Sequence, residues 1–277
     1  MSLCIEILIS TMYKVDLDFL EKMFQHNRIS DFDIIIVNQT VNNKFLYSNN
    51  PKIKIINSLE RGSPASRNLA IKNATKDICL MSDDDIVYQP NLLQIISDAY
   101  SNHNEATLIS FEAIDEDYKL YTNYYPEGKH NKETLKKIYT VVITFRRSVF
   151  VKHAIYFNHY FGVGSVFKGI TEYVFLRNAL DKGLLMQHVS KIIVMHPNES
   201  SGRNMGSDNG VYARAAMHQR FYGNLSYLWL VKYLFFLLRH QHISLKDISH
   251  KFSIGLKGIK RYKLLEAECK IDELHEY

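Results

Sequence analysis

The chain is poor in cysteine and spaces what it has widely. Its three thiols, Cys4, Cys79 and Cys269, show no zinc-ligand spacing and cannot build a disulfide framework. Two of them sit inside apolar runs, so all three read as reduced core thiols of a cytosolic protein. No apolar run reaches the ~18 residues that a membrane-spanning helix needs. The opening MSLCIEILIS lacks a basic n-region and a small-residue cleavage site. It therefore reads as a first strand rather than a signal peptide. Neither a GxGxxG fingerprint nor a GxxxxGK[ST] loop is present, which argues against a dinucleotide enzyme and a P-loop NTPase. Tryptophan occurs once, at Trp229, against 18 Tyr and 15 Phe. That aromatic content suits sugar binding and a large core equally well.

What is present is enough apolar residue, 46% of 277, to bury a sizeable core in one large domain or one and a half. The net charge of +5 is a weak pointer to nucleic acid or an anionic membrane surface, and no nucleic-acid motif accompanies it.

Apolar runs at residues 3–9, 33–37, 53–56 and 78–81 alternate with helical patterns at about 16–26 and 65–74, which predicts a doubly wound α/β sheet. The most informative stretch is 66–88, SRNLAIKNATKDICLMSDDDIVY. A helix and a turn lead into the strand Ile78–Met81, apolar on both faces as a central parallel strand should be. It runs into three consecutive carboxylates, Asp83, Asp84 and Asp85. At about 4 Å each like-charge pair costs roughly 1 kcal/mol in water and about 4 kcal/mol at a protein surface. A divalent cation would remove that cost, and hard oxygen ligands suit Mg²⁺ or Mn²⁺. Acidic triplets are also common on solvated surfaces. Here Arg67 and Asn68 open the preceding helix, with Arg61 and Gly62 just upstream. Guanidinium beside metal-binding carboxylate suits a diphosphate.

The run RGSPASRNLAIKNATKDICLMSDDDIVY resembles the central signature of family 2 glycosyltransferases of the GT-A fold, of the type that builds bacterial surface polysaccharide. There a Gly, a small residue and Arg-Asn precede a helix, and a strand follows into a DxD motif. The resemblance extends more loosely over residues 1–202. It implies a mostly parallel, Rossmann-like sheet flanked by helices. The GT-A domain would span 1–203, with a nucleotide-sugar half to about 90 and an acceptor half from about 91. A helical extension, apolar then basic, would occupy 204–277. It also implies a metal-dependent, inverting transfer from a nucleotide diphosphate sugar, with Mn²⁺ or Mg²⁺ as cofactor. By position Thr11, Tyr13, Asn38 and Gln39 fall on the base and ribose site, although Asn38-Gln39 replaces the family's usual Asp. Arg61, Arg67, Asp83 and Asp84 fall on the donor, and Asp83, Asp85 and His196 on the metal.

Later in the chain a polar segment, 115–134, carries Tyr118, Tyr121, Tyr124 and Tyr125. It reads either as an excursion near the acceptor or as a loop packed on the core. Arg146-Arg147 at a strand end reads as a phosphate contact or a solvated corner. The stretch FNHYFGVGSVFKGITEYVFLRNALDKG, 157–183, is an aromatic and glycine-rich loop entering a helix, with Thr171 as candidate N-cap. It resembles the family's acceptor loop, after which a carboxylate acts as catalytic base; only Glu172 is acidic there. Ser200, Ser201 and Gly202 follow His196 and could close over phosphate. In the tail, LSYLWLVKYLFFLL, 225–238, is too short to span a bilayer and is followed by a Lys/Arg-rich segment. That suits an interfacial anchor on an anionic leaflet, and a core or dimer helix equally.

The expected partners are a nucleotide sugar and a glycan or lipid-linked glycan acceptor, at a cytoplasmic site or the inner membrane face. A sugar nucleotidyltransferase and a non-catalytic membrane-docking protein are the rival readings. Donor sugar, base, acceptor, linkage and oligomeric state are not legible in the residues.

Overall fold

The computed structural model describes residues 3–197 and 205–272. These gather into two compact units. The first takes 3–61, 65–157 and 175–197, and the second takes 62–64, 158–174 and 205–272.

The first unit is built on one nine-stranded sheet. Strands β1 (Ile5–Met12), β2 (Asp33–Gln39), β3 (Ile53–Ser58) and β4 (Ile78–Asp83) are all parallel, in the order β3-β2-β1-β4. Ile7, Leu8 and Ile9 on β1, and Ile78 to Met81 on β4, are buried on both faces. Because β2 and β4 flank β1 on opposite sides, the strand order reverses there. Such a switch point opens a crevice beyond the carboxyl ends of the strands. The sheet continues through β8 (Ile143–Arg146), antiparallel between β4 and β6 (Leu108–Ile114), to β9 (Met186–Met195), which is parallel to β6. Short strands β5 (Val87–Tyr88) and β7 (Gly128–Lys129) pair antiparallel with β9.

Helices α1 (Asp18–Met23), α2 (Ser63–Asn73), α3 (Leu92–Asn102), α4 (Arg147–Lys152) and α5 (Thr171–Asp181) link the strands. Helix α1 is shorter than expected at both ends. Asp16 Oδ1 accepts from the Asp18 amide at 3.2 Å, so the chain is still turning there. Buried Glu6 on β1 accepts from the amides of Thr75, at 2.6 Å, and Lys76, at 3.2 Å. It thereby fixes the turn that feeds β4.

Two expectations change, and a third gains detail. Cys79 is a buried core thiol, but Cys4 and Cys269 are exposed, because each lies at the end of an element rather than inside one. Arg146 is held by the protein rather than standing as a solvated corner. Its guanidinium donates to the carbonyls of Ala106 and Asn104, both at 3.0 Å, and lies over the Tyr100 ring. Of the loop tyrosines, Tyr121 is buried and Tyr124 accepts from the Ala113 amide at 3.0 Å, while Tyr118 is exposed at a turn.

The second unit centres on α6 (Asp208–Tyr222), α7 (Leu225–Arg239) and α8 (Ile248–Ala267). Val211, Ala215, Leu230, Leu237 and Ile259 form its core. The backbones meet closely, since a Cβ at Gly258 would overlap the Tyr212 carbonyl and one at Gly255 the Leu230 side chain. Ser207 caps α6 by accepting from the Gly210 amide at 3.1 Å. No helix among the described residues is long and apolar enough to cross a membrane.

A buried polar cluster in the first unit gives the fold a pH dependence. Ser110 Oγ meets His130 Nε2 at 2.8 Å and His188 Nδ1 at 3.1 Å, and Tyr124 stacks on His188. Burial pushes the His130 pKa down to about 4, and burial likewise lowers that of His188. Above about pH 6.5 both states of the protein hold these rings neutral. Below it the unfolded chain takes up protons that the folded one refuses until about pH 4. Stability should therefore fall through this window, by roughly 3 kcal/mol for His130. Urea denaturation of the wild type against His130→Gln at pH 7 and pH 4.5 measures it. The gap between the two proteins should shrink at the lower pH, and an unchanged gap would refute the linkage.

Candidate functional site

The acidic run sits at the switch point. Asp83 ends β4 opposite Ser10 of β1, and Thr11 and Met12 lie opposite Asn38 and Gln39 of β2. Sheet register alone thus gathers Thr11, Asn38, Gln39 and Asp83 at one edge. Cations then converge on the carboxylates. Arg67, 6% exposed on α2, places Nη2 3.3 Å from Asp83 Oδ1. Lys14 places Nζ 3.1 Å from Asp84 Oδ2, and Thr11 Oγ1 donates to that same oxygen. Tyr88 donates to Ser82 Oγ at 2.7 Å, and Ser82 Oγ donates to the Asp83 carbonyl at 3.0 Å, bracing the strand end from below.

Asp85 has a different environment. Its pKa is raised, chiefly by desolvation and then by Asp83 and Asp84, with His196 opposing. His196 arrives through β5 and β9, whose ladder sets Val87 opposite Met195. The His196 Nδ1 donates to the Pro197 carbonyl at 2.9 Å, which leaves Nε2 as the nitrogen not used by that bond. Its ring packs 4.8 Å from that of Tyr121, which meets Tyr139 edge-on. Among the described residues no group of three or more His, Cys, Asp or Glu is already arranged to hold a metal ion. The donor types, carboxylate oxygen beside imidazole nitrogen, nevertheless fit Mn²⁺ or Mg²⁺.

The remaining first-unit candidates divide by what their side chains touch. Asn38 is fully engaged internally. Its Nδ2 donates to the Lys14 carbonyl and to Asn57 Oδ1, both at 3.0 Å, and its Oδ1 accepts from the Lys14 amide at 3.1 Å. It therefore holds the β1 exit loop that carries Lys14. Gln39 is buried, and its carbonyl accepts from the Tyr13 amide at 3.0 Å. Tyr13 has a positive φ of 58° and an exposed ring, with the Arg61 guanidinium 5.5 Å from the ring centre.

Asn68 works on the backbone instead. It donates to the Phe157 carbonyl and accepts from the Phe157 amide, both at 2.8 Å. The Phe157 ring in turn lies 5.4 Å from the Arg67 guanidinium and stacks on Phe175 at 4.0 Å. The adjacent Arg67 and Asn68 thus have separate tasks, one toward the carboxylates and one toward the chain entering the 157–170 loop.

In the second unit the Ser63 amide donates to the Val163 carbonyl at 2.9 Å, and the Val163 amide donates to Ser63 Oγ at 3.2 Å. Gly162 has φ +145°, and a Cβ there would lie 2.8 Å from Ser63 Oγ. The cap of α5 is Ile170, one residue before the expected Thr171. The Val174 amide bonds to the Ile170 carbonyl at 3.1 Å, Ile170 has φ +52°, and Thr171 is already helical. Glu172 is half-buried in the first turn, where the helix dipole favours its charge. Ser200, Ser201 and Gly202 lie outside the described residues. Sequence reasoning missed Lys14, Thr11's carboxylate partner and the packing of Tyr121 on His196. Only the short spacing of Lys14 from the end of β1 hinted at any of them.

A switch-point crevice lined by carboxylates and cations, on a sheet of this order, defines a glycosyltransferase of the GT-A fold. The chain belongs to glycosyl transferase family 2, whose model matches residues 17–161, more than half of its length. No curated sequence matches it. Among solved structures it is similar to S. aureus TarS 1-349, with TM-score 0.60 and 13% identity over 97% of this chain and 83% of that one. TarS in complex with UDP gives TM-score 0.54 at 11% identity, covering 99% of this chain and 94% of that one. The UDP-GlcNAc complex gives 0.53 at 13%, covering 98% and 94%. Identities this low carry the fold and not the substrate.

The Ser63–Val163 junction predicts an effect at Gly162. Gly162→Ala adds both a disfavoured backbone angle and a clash, and should destabilise by about 1–3 kcal/mol. Thermal denaturation reads it, and an unchanged midpoint would show that the loop is not held as described.

Proposed function

We propose that the protein transfers a sugar from a nucleotide diphosphate sugar to a hydroxyl of a glycan acceptor, with inversion, in the synthesis of a cell-surface polysaccharide. The observation that carries this is the set of three carboxylates with Arg67 and Lys14 at the switch point of a family 2 sheet. The UDP and UDP-GlcNAc complexes of the similar TarS structures support a nucleotide-sugar donor, and make UDP-sugars the first to test.

Arg67 and Lys14 carry the positive charge that a diphosphate needs, and an incoming donor exchanges carboxylate for phosphate as their partner. Tyr13 and Arg61 offer an exposed ring and guanidinium at the mouth of β1, suited to the nucleoside. Thr11 orients Asp84 through its hydroxyl. Asn38 and Gln39 shape the base pocket through the loop they hold rather than by direct readout. Asp83, Asp85 and His196 would hold Mn²⁺ or Mg²⁺, which supplies Lewis-acid stabilisation of charge on the departing nucleotide. Glu172 accepts the proton of the acceptor hydroxyl as the oxygen attacks the anomeric carbon. This role is carried over from the family's motif. Residues 1–203 form the transferase domain in this reading, and 204–277 an extension that holds the enzyme at the inner face of the membrane, where a lipid-linked acceptor would be found.

A thermal-shift screen with UDP-, GDP-, dTDP- and CMP-sugars, each with Mn²⁺ and with EDTA, tests the donor site. A donor at about 100 times its Kd should stabilise by about 2.7 kcal/mol. We expect a Mn²⁺-dependent shift with the UDP-sugars, absent in Asp85→Ala. Equal shifts in EDTA, or in the variant, would overturn the metal assignment. Glu172→Gln should keep the donor shift and lose roughly 10²–10⁴-fold in turnover, the usual worth of general-base help. Full turnover would remove Glu172 from the mechanism.

A further inference from the structure

Helix α7 buries one side and leaves the other bare. Ser226, Leu230, Tyr233, Leu234 and Leu237 face the core of the second unit. On the opposite side Leu228 is 72% exposed, Phe235 70% and Leu225 63%. At helical spacing these fall in one stripe, together with Val231. Lys232 and Arg239, both exposed, rise from within the same stripe. Lys263 of α8 joins them at the stripe's N-terminal end, donating to Asn224 Oδ1 at 3.0 Å and lying over the Tyr227 ring. A large exposed apolar face whose only charges are cations is unusual for a face meant for water.

The charge pattern selects the occupant. Between Asp208 and Glu266 the chain carries ten Lys and Arg against one acid, Asp247. Asp247 accepts from the Ser244 amide and hydroxyl at the start of α8, away from the stripe. A second copy of this chain would bring the same apolar stripe, but also the same cations, with no acid on α7 to receive them. An anionic lipid leaflet offers acyl chains to the stripe and phosphate to its cations. Lys and Arg stems lie along apolar surface while their heads reach the headgroups. The helix is too short to cross.

We propose that the outer face of α7 docks on an anionic leaflet, with Leu225, Leu228 and Phe235 entering the acyl boundary and Lys232, Arg239 and Lys263 meeting lipid phosphate. The membrane location stated above thereby acquires a surface, which stands on the second unit alone and not on the sugar-transfer chemistry.

The test is flotation of the full chain with phosphatidylcholine vesicles, with and without phosphatidylglycerol, at low and high salt. Binding is expected only with phosphatidylglycerol, and weaker at high salt. Lys232→Glu should lower it by about fivefold or more. Leu228→Asp/Phe235→Asp should lower it by roughly tenfold or more, while both variants keep the wild-type melting temperature and the donor thermal shift. Since the altered side chains are exposed, loss of folding is not expected, and the donor shift separates failure of this proposal from failure of the transferase reading. Equal binding to neutral vesicles, binding unaffected by the double variant, or no binding to phosphatidylglycerol vesicles would each overturn it. So would a concentration-dependent self-association in size-exclusion light scattering that the double variant abolishes.

Discussion

Repulsion among Asp83, Asp84 and Asp85 is the constraint around which the first unit is arranged. Three adjacent carboxylates at the end of a buried strand are unfavourable unless positive charge or donors face them. The fold supplies these from separate places. Arg67 comes from α2, Lys14 and Thr11 from the exit of β1, and His196 from the end of β9. Each lies far from the acidic run in sequence or on another element, so none meets it until the sheet is formed. Asp85 has its pKa raised first by desolvation and then by its two acidic neighbours, with His196 opposing.

A second tier of contacts holds those partners in place. Asn38 grips the backbone of Lys14, Asn68 grips that of Phe157, and Tyr88 with Ser82 supports the turn after β4. Buried amides that satisfy backbone donors and acceptors are costly to lose, because removing them strands polar groups away from water. The site is therefore pre-organised by hydrogen bonds that never touch a ligand, which is how rigid elements commonly position chemistry.

The second unit works by different physics. Its core is a small helical one that depends on close backbone approach at Gly255 and Gly258, and between Asp208 and Glu266 its charge is overwhelmingly positive. Helix α7 is apolar nearly all round, so burying one side leaves a second apolar side over. Its sequence was compatible with either a core helix or an interfacial one, and the helix in fact presents both faces.

The sequence by itself determined the alternating α/β architecture, the buried parallel strands and the acidic run at the end of β4. Those features rest on local periodicity and on adjacency in the chain. The family likeness was legible for the same reason, since its Arg-Asn and Asp residues lie within one helix–strand unit. Tertiary structure decided the rest. It assigned the Asn38 side chain to the Lys14 loop, turned Arg146 onto carbonyls, exposed Cys4 and Cys269, and moved the cap of α5 from Thr171 to Ile170. It also paired Ser63 with Val163, 100 residues further along the chain. A side chain's partner depends on which strands become neighbours and in what register. Pairing across tens of residues is settled by the whole sheet, and no local pattern records it.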